Sequence, residues 1–376
     1  MLPYGRQSID ENDIAAVAEV LRGNWLTTGP AVAQFEKDVA AVAGVPGPAV
    51  AVTSGTAALH TAYAASGVGP GDEVITTPLT FFATATTAMW QGARVVFADV
   101  SEDTGNLDPD AAAAAVTDRT KVIAGVDYGG HPIDAPALAK VAHDAGAVLL
   151  EDAAHSVGGS LDGVPVGALA DLTTFSFFPT KNLTTAEGGA VVSPSDELLA
   201  AARNFKGIGY TRDEAKLRVT DEGPWYYEVH SLGLNYRLPD VLAALGSSQL
   251  GRLAQFKARR QEITDRYNAA LADIDVLRTP AHRAGAEPVW HLYPLRILDG
   301  RRRELFEHLH ADGIGVQVNY IPVHTQPIFA DLGWRKGQFP IAEAYSAQEI
   351  SLPMFPDLTD ADVDRVIDSV RTFVGA

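Results

Sequence analysis

Short runs of consecutive apolar residues alternate along this chain with stretches in which apolar residues recur every three or four positions. Ile14, Val17, Val20 and Leu21 share one face of a helix that opens behind the polar cap around Ser8 and Asp10. Val32, Phe35, Val39 and Val42 mark a second helix, after a loop at residues 24–30. Residues 49–52 then read as a short strand that runs through Thr53-Ser54-Gly55-Thr56 into a helix over 57–65. Strands over 73–77, 94–100 and 121–126 and the apolar run 147–150 follow, interleaved with helices over 81–91, 108–115 and 135–145. The aromatic run Phe175-Ser176-Phe177-Phe178 reads as one more buried strand. Continuous apolar strands alternating with helices predict an α/β fold whose parallel sheet is covered on both faces.

Near Asp240 the pattern changes. Val241, Leu245, Leu250, Leu253, Phe256, Ile263, Tyr267 and Leu271 predict one long helix, followed by a smaller mixed segment. That segment reads as a strand over 290–297, a helix over 304–311, a strand over 315–320 and a helix over 360–373. The expected organisation is a large domain over 1–240 with an N-terminal arm, then a linking helix and small C-terminal α+β domain over 241–376.

Ligands on parallel sheets sit at the carboxyl ends of the strands. Three polar features fall there: Ser54-Gly55-Thr56, Asp152 and Lys181. A strand feeding small residues at a helix N-terminus offers free N–H groups to a phosphate, although an ordinary capped helix has the same signature. A lysine beside an apolar strand end is costly to bury charged, so its amine becomes usable. A strand-end acid followed by a strand-end lysine is what pyridoxal phosphate (PLP) requires: the lysine as Schiff-base partner, the carboxylate to keep the pyridine nitrogen protonated.

Composition narrows the partners. A formal charge of −18 disfavours nucleic acid and anionic membranes. The chain has no cysteine, which removes thiolate chemistry and Cys-based zinc sites; no metal site is expected. Residues 39–71 carry no Asp, Glu, Lys or Arg, but Pro46, Pro48 and Pro70 break them, so they do not form one membrane span. The first residues lack an apolar signal segment, and a cytoplasmic location is expected.

Taken together, Thr53-Ser54-Gly55-Thr56-Ala57-Ala58-Leu59, Glu151-Asp152-Ala153-Ala154-His155 and Phe175-Ser176-Phe177 with Lys181 and Glu187-Gly188-Gly189 resemble the DegT/DnrJ/EryC1/StrS sugar aminotransferases. The likeness runs from the first residues through Trp25-Leu26-Thr27-Thr28-Gly29-Pro30 to Ile350-Ser351-Leu352-Pro353. It implies the aspartate aminotransferase-like fold (type I of the PLP enzymes) and a ping-pong transamination through the PLP and pyridoxamine 5′-phosphate forms. Asp103-Thr104-Gly105-Asn106-Leu107, Gly130-His131-Pro132-Ile133-Asp134 and Tyr320-Ile321-Pro322-Val323-His324 look most like the pseudaminic acid branch. Its enzymes aminate C4 of a UDP-linked 4-keto-6-deoxy-N-acetylhexosamine with L-glutamate as donor. Phe178-Pro179-Thr180-Lys181-Asn182-Leu183 looks instead like the antibiotic-sugar branch, several of whose enzymes work at C3 on dTDP-keto-sugars, which leaves amination at C3 or C4 of such a sugar as the alternative.

The resemblance further implies that Lys181 is the catalytic lysine, Asp152 pairs with the pyridinium nitrogen, and Ser54, Gly55, Thr56 and Ser176 hold the phosphate. Phe81 would stack on the ring and His155 lie near its hydroxyl; a core aromatic and an ordinary hydrogen-bonded histidine are the alternatives. Asn235 would reach the phosphate of a neighbouring subunit, implying a homodimer with shared sites, or else be a polar helix cap. Tyr4, Arg6, Thr27, Arg237, Tyr320 and His324 are the candidates for substrate contact, with a surface or structural role as the commoner alternative for each. PLP sugar dehydratases of the same family carry histidine in place of this lysine, so Lys181 argues against that chemistry, and Lys181 with Asp152 argues against a non-catalytic relative.

Overall fold

The strand ends singled out in the sequence lie on one seven-stranded sheet of the computed structural model, which describes residues 1–219 and 221–376. Its strands are β1 (Val50–Val52), β2 (Glu73–Thr76), β3 (Arg94–Phe97), β4 (Thr120–Val126), β5 (Val148–Asp152), β6 (Leu172–Ser176) and β7 (Gly189–Val192). They are ordered β1-β7-β6-β5-β4-β2-β3. The run from β6 through β3 is parallel, and β7 is antiparallel to both of its neighbours.

The pleat sends alternate residues into separate apolar layers. Val122, Ala124, Leu150 and Leu172 pack on the side of the helix Gly55–Ala65, which buries Ala58, Leu59 and Ala62. Ile123 and Leu149 face the helix Ala135–Asp144 through Leu138 and Ala142. At the β7 end, Phe175, Ala190 and Val192 meet Phe35 and Val39 of the helix Pro30–Ala43. A mostly parallel sheet clothed on both faces is what the unbroken apolar strands predicted.

A second core gathers Ile263, Tyr267, Leu295, Ile297, Leu305, Ile350 and Val366. It is built on an antiparallel sheet of Leu277–Arg278, Tyr293–Ile297 and Glu349–Leu352. Val323, Phe329, Phe339 and Tyr345 leave this core and pack with the large sheet. The N-terminal arm crosses the other way, with Leu2 N–H bonded to Gly313 (2.8 Å) and Tyr4 carbonyl to Met354 (2.9 Å).

Two predicted elements differ. The long helix is two, Asp240–Leu250 and Leu253–Leu271. Gly251 and Arg252 fold back on the carbonyls of Ser247, Ser248 and Gln249, and the Arg252 side chain turns to bind Asp13 and the Ser8 carbonyl. The strand expected over 315–320 is a single bridge between Gln317 and Ser351, because the next inward N–H, that of Asn319, goes to the Glu349 carboxyl instead of a strand (2.7 Å). β7 and the helix Asp196–Lys206 were not anticipated.

Asp240 ties the two ends of the large layer together. Its buried carboxylate accepts from the N–H groups of Gly29 (2.8 Å), Ala31 (2.9 Å) and Val32 (3.3 Å), capping a helix whose own N-cap is glycine. Asp240→Ala should cost about 2–3 kcal/mol, read as a lower denaturant midpoint, with Asp240→Asn intermediate.

Candidate active site

Three chain turns build the site at the carboxyl edge of the sheet. After β1, Ser54 caps the helix Gly55–Ala65, its hydroxyl accepting from Ala57 N–H at 3.0 Å. The first helical turn leaves N–H groups of Gly55 and Thr56 without a helical acceptor. Glycine is required there: a Cβ on Gly55 would stand 2.7 Å from the Ser176 Cβ. Gly189 is equally constrained, since a Cβ would meet the Ser54 carbonyl oxygen at 2.5 Å. After β5 comes Asp152 at the strand end, and after β6 the chain turns through Phe178 into Lys181, whose N–H bonds the Phe178 carbonyl at 2.9 Å.

These turns enclose a cavity of about 520 Å³. Of the residues singled out in the sequence, Tyr4, Ser54, Gly55, Thr56, Phe81, Asp152, His155, Ser176, Lys181 and Tyr320 line it. Thr80, Thr84, Phe178, His291 and Asn319 line it as well. Thr84 lay within the predicted helix one turn beyond Phe81 and was legible to that extent. His291 and Asn319 arrive from distant elements by tertiary packing, with no local signal.

The electrostatics set acid and base in one cavity. Burial pushes the Asp152 carboxyl up, and hydrogen bonds from Thr84 Oγ1 (2.7 Å) and Ala154 N–H (3.3 Å), with the charge of Lys181, work against that rise. The Thr84 carbonyl accepts in turn from the buried Tyr63 hydroxyl at 2.8 Å. Burial brings the Lys181 amine down to about 8, with Asp152 opposing the fall, so a usable fraction is free base near neutral pH. His155 and His291 are held well below the ordinary imidazole value by burial and by Lys181. Their rings lie 4.4 Å apart, Tyr320 Oη is 3.1 Å from His155 Nε2, and Nδ1 of each histidine is buried without a partner among the described residues. A buried amine facing a carboxylate, unpaired imidazole atoms and a glycine-lined helix start fit the cofactor expected from the sequence.

Other expected residues stand elsewhere. Arg6 and Thr27 are exposed and outside the cavity lining. Arg237 pairs through its backbone with Val52, and the exposed Asn235 with Gly207; neither lines the cavity. The expected substrate contact at His324 does not hold in this cavity. Its ring is fully buried against Phe339 (4.8 Å), and Nε2 lies 3.0 Å from the Glu343 carboxylate.

The family model for the DegT/DnrJ/EryC1/StrS aminotransferase family matches residues 7–371. The chain belongs to this family. The spore coat polysaccharide biosynthesis protein SpsC of Bacillus subtilis is 43% identical over 99% of this chain and 97% of its own length. Among solved structures, Spr1654 of Streptococcus pneumoniae in its PMP form superposes with a TM-score of 0.93 at 31% identity, covering 100% of this chain and 99% of that one. PseC of Helicobacter pylori, described as an aminotransferase of pseudaminic acid biosynthesis, gives 0.92 at 30% identity over 100% and 99%. This member of the DegT/DnrJ/EryC1/StrS family is a sugar aminotransferase with the α/β fold of these enzymes.

The hydroxyl of Thr84 favours the charged form of Asp152, so its loss lets Asp152 hold a proton to higher pH. Thr84→Val should move the acid limb of the pH–activity profile up by about one unit and weaken cofactor binding roughly tenfold. A pH series of kcat and a fluorescence titration of the cofactor check both.

Proposed function

We propose that this sugar aminotransferase transfers an amino group from L-glutamate to C4 of a UDP-linked 4-keto-6-deoxy-N-acetylhexosamine, with Lys181 as its catalytic lysine. The observation that carries the chemistry is the Lys181 amine and the Asp152 carboxyl lining one cavity at the strand ends of the large sheet, each acting on the other's charge. The acceptor rests on the pseudaminate-like segments and on the full-length similarity to PseC.

The cofactor is pyridoxal 5′-phosphate, as in the PLP form of Spr1654. When bound, it supplies an aldehyde that accepts an amine and a ring that takes up the electrons of the adjacent carbon. The residues present fit it. Ser54, Gly55, Thr56 and Ser176 would hold the phosphate at the helix start, and Asp152 the pyridine nitrogen. Phe81 would cover one ring face, and His155 meet the ring hydroxyl. Lys181 is the attachment point and, as an amine with a lowered proton affinity, takes a proton from the donor carbon and returns one to the acceptor carbon. Tyr4, Phe178 and Tyr320 line the cavity and help exclude water.

The domain division at residue 240 and a cytoplasmic location complete this reading; no helix among the described residues is long and apolar enough to cross a membrane. So does a homodimer with shared sites. Trp25 and Leu26, close in sequence to the exposed Thr27, and Trp225, Leu232 and Leu234, close to Asn235, are exposed apolar groups suited to a second copy. Arg6, Thr27, Asn235 and Arg237 then serve sites completed by the partner. If so, mixing inactive Lys181→Ala and Asn235→Ala proteins under subunit exchange should restore up to about a quarter of wild-type turnover, the share expected when one of two sites in half of the dimers is intact; no recovery would exclude sharing.

A second reading, a dTDP-keto-sugar acceptor, is favoured by the Phe178–Leu183 segment, of which Phe178, Thr180 and Lys181 line the cavity. The deciding experiment offers purified enzyme with PLP and glutamate a UDP-4-keto-6-deoxy-N-acetylhexosamine and a dTDP-3-keto-6-deoxyhexose in parallel, read by mass spectrometry. Amination of the UDP-sugar supports the proposal, and amination of the dTDP-sugar alone replaces it with the second reading. Lys181→Ala should abolish multiple turnover with either sugar while retaining the wild-type circular dichroism; sustained turnover would remove Lys181 from its role.

A further inference from the structure

Behind the cavity wall sits a buried acid that no step above uses. Glu349 is fully buried at the start of the strand Glu349–Leu352. Its Oε2 accepts from the Asn319 N–H at 2.7 Å and its Oε1 from the Ser351 hydroxyl at 2.5 Å. The Asn319 side-chain amide donates to the same Ser351 hydroxyl at 3.0 Å, closing a ring through three residues in which Asn319 takes part with its backbone N–H as well. The Asn319 carbonyl accepts from the Tyr128 hydroxyl, and the Tyr320 carbonyl from the Ser346 hydroxyl at 2.8 Å. Asn319 and Tyr320 line the cavity, and Tyr320 reaches His155. The wall is thus gripped from behind at its backbone, and Glu349 holds the first of these grips.

The charged and titratable groups around Glu349 leave its carboxyl without a cation partner among the described residues. Arg302 donates to the carbonyls of Ser346 and of Glu349 itself, both at 3.4 Å. Arg296, paired in register with Glu349, lies over the Tyr345 ring at 4.6 Å. The remaining neighbours, Tyr128, Tyr320 and Tyr345, are phenols that burial holds protonated, and the charge of Asp103 adds to that effect at Tyr345. Burial without a paired cation makes this carboxyl keep its proton unusually well, although its two donors favour the ion.

We propose that Glu349 is a positioning residue for the acceptor: through Asn319 and Ser351 it sets where Asn319 and Tyr320 stand in the cavity, and gaining or losing its proton changes that setting. This rests on the reading that the keto-sugar occupies the Tyr320 side of the cavity. With the proton on Oε1 the Ser351 contact runs the other way, the acid O–H donating to the Ser351 hydroxyl, while Oε2 still accepts from the Asn319 N–H. On ionisation Ser351 turns to donate, and the carboxylate draws the Asn319 N–H harder and pulls Asn319 back from the cavity. Burial lifts this carboxyl to about 8, against the hydrogen bonds from Ser351 and Asn319 and the nearby charge of Arg302, so the change falls in a working pH range.

Glu349→Gln preserves both hydrogen bonds, its carbonyl accepting from Asn319 and its amide donating to Ser351, and fixes the uncharged state. In wild-type holoenzyme the KM for the acceptor should rise roughly fivefold as pH climbs through about 8, the worth of one charge-strengthened hydrogen bond. In Glu349→Gln it should stay at its low-pH value, with kcat at low pH unchanged. Two substrate-free readings accompany it on the holoenzyme. Difference infrared spectra should show a protonated-acid carbonyl band that titrates in wild type and is missing in the variant. Near-ultraviolet circular dichroism of the site tyrosines should titrate with it. If Glu349→Gln does not fold, Ser351→Ala serves: losing a bond that favours the ion should move the same titration to higher pH. An unaltered KM profile in the variant, or no titrating band in wild type, overturns the proposal. If no sugar is aminated by wild type, the acceptor reading alone has failed, and the two spectroscopic titrations still decide the role of Glu349.

Discussion

An acid and an amine are buried together at the edge of one sheet, and most of the surrounding architecture answers that constraint. Removing either charge from water costs several kcal/mol unless it is paired or hydrogen-bonded. The Lys181 amine therefore falls while the Asp152 carboxyl rises, each restrained by the other. Thr84 and the Ala154 N–H stabilise the carboxylate, and Tyr63 fixes Thr84 from behind. Both neighbouring imidazoles stay neutral, so they add no positive charge beside the amine. A site held this way has little reorganising left to do when charge develops in it.

The same constraint explains the two glycines at the sheet edge. β7 runs against its neighbours and brings the chain after the lysine loop back beside β1. Gly189 lets this return strand pass the Ser54 carbonyl, and Gly55 lets the helix start sit against Ser176. Side chains at either place would push the start of the helix Gly55–Ala65 away from the lysine loop. Close backbone approach, more than turn geometry, is what glycine provides here.

The sheet was legible because its strands are buried on both faces and therefore read as unbroken apolar runs. Asp152, Lys181 and the Ser54–Thr56 turn were legible because each polar residue follows such a run directly. Legibility failed where the chain's partner is far away in sequence. The apolar face over 241–271 continues across Gly251 and Arg252, so periodicity alone could not reveal a break that Asp13 and Ser8 stabilise from the other end of the chain. Residues 315–320 have strand-like composition, but a side-chain acid takes the N–H that a ladder would have used. His324 looked like a site residue by its motif; its burial against Phe339 and Glu343 depends on segments that only the fold brings together.

Three buried acids near this edge show how environment divides one chemistry into different tasks. Asp152 meets a lysine and two donors, so the rise that burial causes is opposed by charge as well as by hydrogen bonds. Glu151, one residue earlier, points to the other face of the sheet, where Thr173 and the Gly167 N–H are its partners and burial lifts it to about 7. Glu349 has only neutral donors on its carboxyl and rises to about 8. Adjacent residues on a strand necessarily face opposite ways, so the chain can place a carboxyl in the cavity beside an acid that stays in the core. The acid behind Tyr320 follows the second pattern while touching the cavity wall. Its proton therefore reports on the wall's position without entering the reaction, which is why exchanging it for an amide separates positioning from chemistry.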